Sequence, residues 1–285
     1  MGEDGSAIHR LKSAGPRIVV MVIAFALGLA LLEGLSAILH FPTEQTPGDT
    51  TRSKERPRDL HVPEPVAPAF AASDPYPIRP DKWDSVWGVV KRRTDVHARP
   101  ALDSRVVGRL GRVTPEGTDN IVLILDRETA LEGRLWVRVL FPSLPNGGAG
   151  WVARDTIGGY GVVHTRLVID LSLFSARLYE RGRVLFDAPI GIGKPKWPTP
   201  VGVFYVRNRL AGFGDPIYGP VAFGTSARSV RLTDWPAGGF VGIHGTNTPE
   251  LIPGRVSHGC VRMRNDDILE LDRLMPVGTP VTIRP

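Results

Sequence analysis

From Trp87 onward, short runs of Val, Ile, Leu and aromatic residues are cut repeatedly by turn residues, and that alternation restricts the chain to short strands. Val86–Lys91, Val106–Leu110, Ile121–Leu125, Leu135–Phe141 and Gly150–Ala153 each have strand length and β-favouring composition. Arg99-Pro100, Thr114-Pro115 and Asn146-Gly147-Gly148 separate them, the last being a strong hairpin signal. The 32 glycines and 26 prolines point the same way, because both residues favour turns over long helices. The pattern resumes at Leu167–Leu171, Ala176–Tyr179 and Val184–Phe186, with Arg181-Gly182-Arg183 as a turn, and ends at Val281–Ile283. One helix is expected after Arg264, with Asn265 as its cap and Asp266 and Asp267 in its first turn. Ile268, Leu271 and Leu274 give it an apolar stripe, and Pro276 marks its end. The expected fold class is mainly β.

The N-terminal part follows different rules. Ile18 to Leu32 holds fifteen apolar or glycine residues without a charge. Extended to Leu39 it would span about 33 Å as a helix, enough for a bilayer core of about 30 Å. Arg10, Lys12 and Arg17 precede it and assign residues 1–17 to the cytoplasm. Residues 18–39 then form a transmembrane signal-anchor, or a signal peptide ending near Gly34, Ser36 and Ala37. Either places the remainder outside the cytoplasm. Nine prolines between Pro42 and Pro80 make 40–83 a semi-rigid linker. Two folded regions follow, 84–160 and 163–285.

A net charge of +6 is a mildly basic surface, and no arginine-aromatic interleaving or zinc-finger spacing supports nucleic acid as a partner. Gly191-Ile192-Gly193 lacks the third glycine and following helix of a dinucleotide loop, so no cofactor is implied. A single cysteine excludes an intramolecular disulfide. That cysteine sits in Ser257-His258-Gly259-Cys260-Val261-Arg262, and His244-Gly245-Thr246-Asn247 begins sixteen residues before it. A thiol attacks as thiolate and needs a nearby base or cation, which a histidine supplies. His244, His258 and Cys260 could instead be three zinc ligands. No Cys-x-x-Cys or His-Glu-x-x-His accompanies them, so the nucleophile is the preferred reading and no metal is expected.

The two histidine segments resemble the active-site signature of the L,D-transpeptidases (YkuD family), in which a His-Gly pair precedes a Ser/Thr-His-Gly-Cys-x-Arg/Asn segment. Thr199-Pro200-Val201-Gly202-Val203-Phe204 resembles the Thr-Pro-x-Gly-x-Phe stretch of the same family. The resemblance covers about the last 120 residues. It implies a β-sandwich-like catalytic domain with a short helix after the cysteine. Val96–Pro100, Val107–Leu110, Trp136–Val139 and Gly150–Val152 are similar to a bacterial SH3-like barrel, with Trp136 and Trp151 as core residues.

By resemblance, Cys260 is the nucleophile and His244 the base, while His258 polarises the thiol or holds the substrate carbonyl. Which imidazole does which job stays open in the sequence. The backbone N–H groups of Cys260 and Gly259 are expected oxyanion donors. Ser257, Arg262, Gly245 and Asn247 complete the substrate-binding set, with Arg262 facing a substrate carboxylate or pairing with Asp266 or Asp267. The resemblance further implies peptidoglycan stem peptides as partners: a tetrapeptide donor losing D-Ala, and an amine acceptor that gives a 3→3 crosslink. Water as acceptor would make the chain an L,D-carboxypeptidase. An inactive wall-binding scaffold is the third reading. The catalytic region is expected outside the cytoplasm, at the membrane or in the periplasm and wall.

Overall fold

The structure, a computed structural model, describes residues 81–211, 215–229, 231 and 239–285. The apolar segment 18–39 and nearly all of the linker lie outside the described residues. Among the described residues no helix is long and apolar enough to cross a membrane.

The first sheet is wholly antiparallel. Its strands are β1 (Ser85–Val90), β2 (Thr94–His97), β3 (Val106–Leu110), β4 (Ile121–Thr129), β5 (Leu135–Leu140), β6 (Ala149–Ala153) and β7 (Ile157–Val163), in the order β3-β2-β6-β5-β4-β1-β7. All five of the expected strands are present, β5 and β6 on either side of the Asn146-Gly147-Gly148 turn. Two strands, β2 and β7, go beyond that list. The first is only four residues of mixed polarity, and the second contains three glycines and so resembles a break. Gly161 of β7 is needed for contact, since a Cβ there would lie 2.4 Å from the Trp87 ring. Val90, Val96, Val122, Val137, Val139 and Val152 are fully buried at the centre of this sheet. Trp136 is fully buried as expected, and Trp151 is half-buried.

The second sheet has ten strands: β8 (Thr165–Asp170), β9 (Ser175–Glu180), β10 (Arg183–Pro189), β11 (Gly191–Gly193), β12 (Gly202–Ala211), β13 (Val221–Arg228), β14 (Phe240–His244), β15 (Gly254–Ser257), β16 (Val261–Arg262) and β17 (Pro280–Arg284). Their order is β10-β9-β8-β17-β12-β13-β14-β16-β11-β15. The β9–β10 turn has positive φ at both Arg181 (46°) and Gly182 (86°), the backbone of a tight two-residue hairpin. Three pairings are parallel, β8 with β17, β14 with β16, and β11 with β15, so the sheet is mixed.

A single hydrogen-bonded order replaces the two stacked sheets of the expected sandwich. The sheet curls, and Leu167, Ile169 and Leu178 from one flank share a core with Ile243 and Val261 from the other. One helix, α1 (Asn265–Leu274), closes that core with Ile268 and Leu271. Its acidic first turn is as expected, but the cap is not. Arg264 holds the N-cap position without a side-chain bond, and the Asn265 side chain is used elsewhere.

The two sheets form one compact unit. Tyr205 of β12 is fully buried among Ile121, Leu123 and Leu140 of the first sheet, and its hydroxyl donates to the Ile121 carbonyl at 3.0 Å. Beside it, Arg207 Nη2 meets Glu116 Oε1 at 2.6 Å, with side-chain exposures of 1% and 4%. A buried pair of this kind is held by mutual neutralisation.

Candidate active site

Strands β14, β16, β11 and β15 lie side by side at one end of the second sheet, and this arrangement gathers the two histidine segments. Ile243 pairs with Val261 and His244 with Arg262, which sets Gly242 opposite Cys260 by continuation. Gly242 N–H donates to Cys260 Sγ at 3.4 Å. Residues two apart on a strand share a face, so His244 stands on the same face as the position that touches the sulfur. Cys260 and His244 are both buried.

His244 Nδ1 lies 2.7 Å from the Gly245 carbonyl. A carbonyl can only accept, so Nδ1 carries the proton and the lone pair of the neutral ring belongs to Nε2. The Tyr218 ring meets the imidazole edge-on with centroids 5.2 Å apart. Gly245 is required by close approach of its neighbours. A Cβ there would lie 2.4 Å from Asn265 Oδ1 and 2.9 Å from the Gly219 Cα. The same Asn265 oxygen accepts the Thr246 N–H at 3.0 Å, tying the helix N-terminus to the His244 segment. Asn247 is exposed just beyond.

The cysteine turn is locked from inside. Ser257, expected from the sequence among the substrate-binding residues, is 1% exposed and acts as an internal strut. Its hydroxyl donates to the Cys260 carbonyl at 2.5 Å and accepts the Gly259 N–H at 3.0 Å. The Gly259 N–H, expected as an oxyanion donor, is therefore engaged within the turn. Gly259 has φ +123°, a conformation that disfavours any side chain. Its carbonyl accepts from Thr199 Oγ1 at 2.9 Å, and Thr199 Oγ1 in turn accepts Gly193 N–H at 2.9 Å. Lys194 N–H donates to the Ser257 carbonyl at 3.0 Å. The segment from Gly193 to Thr199 is thus latched onto the turn, and its Trp197 packs against His258 with centroids 4.4 Å apart.

Arg262 forms neither of the ion pairs with Asp266 or Asp267 that the sequence left open. Its Nε is buried without a hydrogen-bond partner among the described residues. Asp267 Oδ2 is likewise buried and unpartnered, and burial pushes that carboxyl up against the opposing pull of Arg264. Among the described residues no three His, Cys, Asp or Glu side chains form a metal-holding group.

Sequence reasoning did not assign roles to Thr199, Trp197, Tyr218 or Gly242, and it gave Asn265 only the role of helix cap. The Thr-Pro-x-Gly-x-Phe resemblance singled out Thr199 without saying what it does, while Trp197, Tyr218 and Gly242 carry no local signal.

The profile of the L,D-transpeptidase catalytic domain (YkuD) matches residues 164–283. YkuD of Bacillus licheniformis is 40% identical over 120 residues, a match covering 42% of this chain and 66% of that protein. YkuD of Bacillus subtilis is 33% identical over 159 residues, covering 54% of this chain and 90% of that one. The chain thus spans just under two thirds of the first relative and nine tenths of the second. Among solved structures, the catalytic domain of the E. faecium L,D-transpeptidase is 32% identical, covers 42% of this chain and 96% of that chain, and superposes with a TM-score of 0.33. The matched segment includes both histidine strands, the cysteine turn and the latch at Thr199, and the chain belongs to the YkuD family of L,D-transpeptidases, which are cysteine-dependent enzymes.

Proposed function

We propose that this chain is a peptidoglycan L,D-transpeptidase that makes 3→3 crosslinks through a Cys260 thioester. The observation that carries the reading is the turn from Ser257 to Cys260, which presents the lone thiol beside the His244 strand with its backbone fixed. His244 Nε2 takes the thiol proton, helped by the Gly245 carbonyl that fixes the tautomer and favours the imidazolium. The thiolate attacks the carbonyl of the third stem residue, and the Cys260 N–H supports the developing oxyanion. The tetrahedral adduct collapses, the carbon–nitrogen bond breaks, and the imidazolium proton leaves with the amine of D-Ala. An acceptor amine then attacks the thioester, gives its proton back through His244, and releases the thiolate.

His258 is a half-buried imidazole beside Trp197 and orients the donor carbonyl rather than serving as the base. Arg262, with its unpartnered guanidinium nitrogen, faces a carboxylate of the stem peptide. The upstream sheet is an SH3-like spacer or wall-binding module, a reading supported by its short antiparallel strands and its sequence pattern. The apolar segment 18–39 and the linker 40–83 hold the enzyme on the outer side of the cytoplasmic membrane, as their composition suggests.

Incubating the protein with a disaccharide tetrapeptide should release D-Ala and produce a crosslinked dimer. The acyl adduct should appear as a mass increment on Cys260, and Cys260→Ala should lose it. Full activity in that variant would reject the reading. Tripeptide monomer without dimer, even at high acceptor concentration, would reassign the chain as an L,D-carboxypeptidase.

A further inference from the structure

The ladder beside the cysteine is broken at one place. Strands β13 and β14 pair at Phe223↔Ile243 and Gly224↔Gly242, and then again only at Arg228↔Phe240. Thr225, Ser226 and Ala227 therefore face Val241 alone, a bulge that takes ladder partners away from β14. The Val241 carbonyl accepts instead from the Thr225 hydroxyl, with Oγ1 and O 2.6 Å apart. That hydroxyl also accepts the Ala227 N–H at 3.2 Å, which fixes the direction of its proton. Val241 C=O and Gly242 N–H belong to one rigid peptide plane. The N–H edge of that plane is the one that donates to Cys260 Sγ at 3.4 Å.

We propose that Thr225 is a positioning residue for the nucleophile: by gripping the Val241 carbonyl it aims the Gly242 N–H at the Cys260 sulfur and favours the thiolate. The inference rests on Cys260 being the nucleophile. An N–H directed at sulfur stabilises the anion more than the neutral thiol. A hydrogen bond to the carbonyl of the same peptide also polarises that N–H. Thr225 is fully buried, and it is held in turn from β12, where Arg207 Nε donates to its carbonyl at 2.9 Å. Tyr205 N–H donates to Ser226 Oγ in the same bulge at 3.1 Å. The bulge is thus gripped from the strand that meets the upstream sheet.

The pH dependence of Cys260 alkylation by iodoacetamide tests this in the full-length protein, compared among wild type, Thr225→Val and Thr225→Ser. Valine keeps the shape and removes the hydroxyl, whereas serine keeps the hydroxyl. The midpoint should rise by about half to one pH unit in Thr225→Val, and serine should restore most of the wild-type profile. At neutral pH the valine variant should be alkylated about three- to tenfold more slowly. An unchanged profile in Thr225→Val, or a serine variant that behaves like valine, overturns the proposal. A second measurement needs no variant: with 15N-glycine and 13C-carbonyl valine labels, the Gly242 amide proton should shift as the thiol titrates. A stationary Gly242 signal overturns the proposal even if Thr225→Val fails to fold. Absence of an acyl adduct on wild-type Cys260 would reject the nucleophile instead, and the alkylation profiles would still report on Thr225.

Discussion

The Gly245 carbonyl is a small group with a large effect on His244, because it decides which ring nitrogen can take a proton. This separates the two histidines. His244→Ala should move the alkylation midpoint of Cys260 strongly upward, toward the free-thiol value of about 8.5. His258→Ala should move it only slightly while slowing acylation, since that ring packs on Trp197 and belongs to the nucleophile's own turn. The opposite ordering would transfer the base role to His258. Ser257 is the other residue on which the site depends. Ser257→Ala would strip the Gly259 N–H and the Cys260 carbonyl of their buried partner, and about 2 kcal/mol or more of stability should be lost. Urea unfolding of the variant beside wild type measures that loss, and equal midpoints would show that the hydroxyl is replaced by water.

At the scale of the elements, strands with clean turn boundaries were legible in the sequence and glycine-rich ones were not. Val106–Leu110 matches its strand residue for residue, while Ile157–Val163 was hidden because its glycines read as breaks, although one of them, Gly161, makes room for Trp87. The helix shows the same limit. Its apolar stripe was legible, yet Asn265 serves Thr246 across the fold, a partner that local capping logic cannot see. The site was legible as a set of residue types, because a lone cysteine two residues after a histidine, with a His-Gly pair upstream, is a sequence pattern. Its internal roles were not, since Ser257 and Gly259 are decided by a turn that closes on itself. The Glu116–Arg207 pair, equally invisible in sequence, has a pH signature. Burial raises the Glu116 carboxyl, but the charge and hydrogen bond of Arg207 outweigh it and hold the carboxyl below its ordinary range. Stability from such a lowered acid is complete above the ordinary carboxylate range and lost as pH falls through the lowered value. Glu116→Gln should therefore cost about 3 kcal/mol at pH 7, and its deficit should shrink below about pH 4. Chemical denaturation at both pH values checks this, and a deficit independent of pH would assign the effect to packing.

For the whole described unit, the contacts of Tyr205 and Arg207 with the first sheet predict a single cooperative unfolding step for the two sheets together. Tryptophans on both sides of the interface allow the check. Trp136 lies in β5 of the first sheet and Trp197 in the segment latched onto the cysteine turn of the catalytic region, so single-tryptophan variants should melt at the same temperature. Separate transitions would mean that the interface breaks before either core. The sequence boundary near residue 160 falls close to His164, between β7 and β8, but a boundary in chain order is not a plane of separation here. The buried guanidinium of Arg207 turns this into a rule for exchange of parts. A chimera that attaches another upstream module to this catalytic sheet has to bring a carboxylate for Arg207 and a carbonyl for Tyr205. Without them the graft starts with an uncompensated cation in its interior, and recombination at this junction selects donors by one acidic residue in a loop.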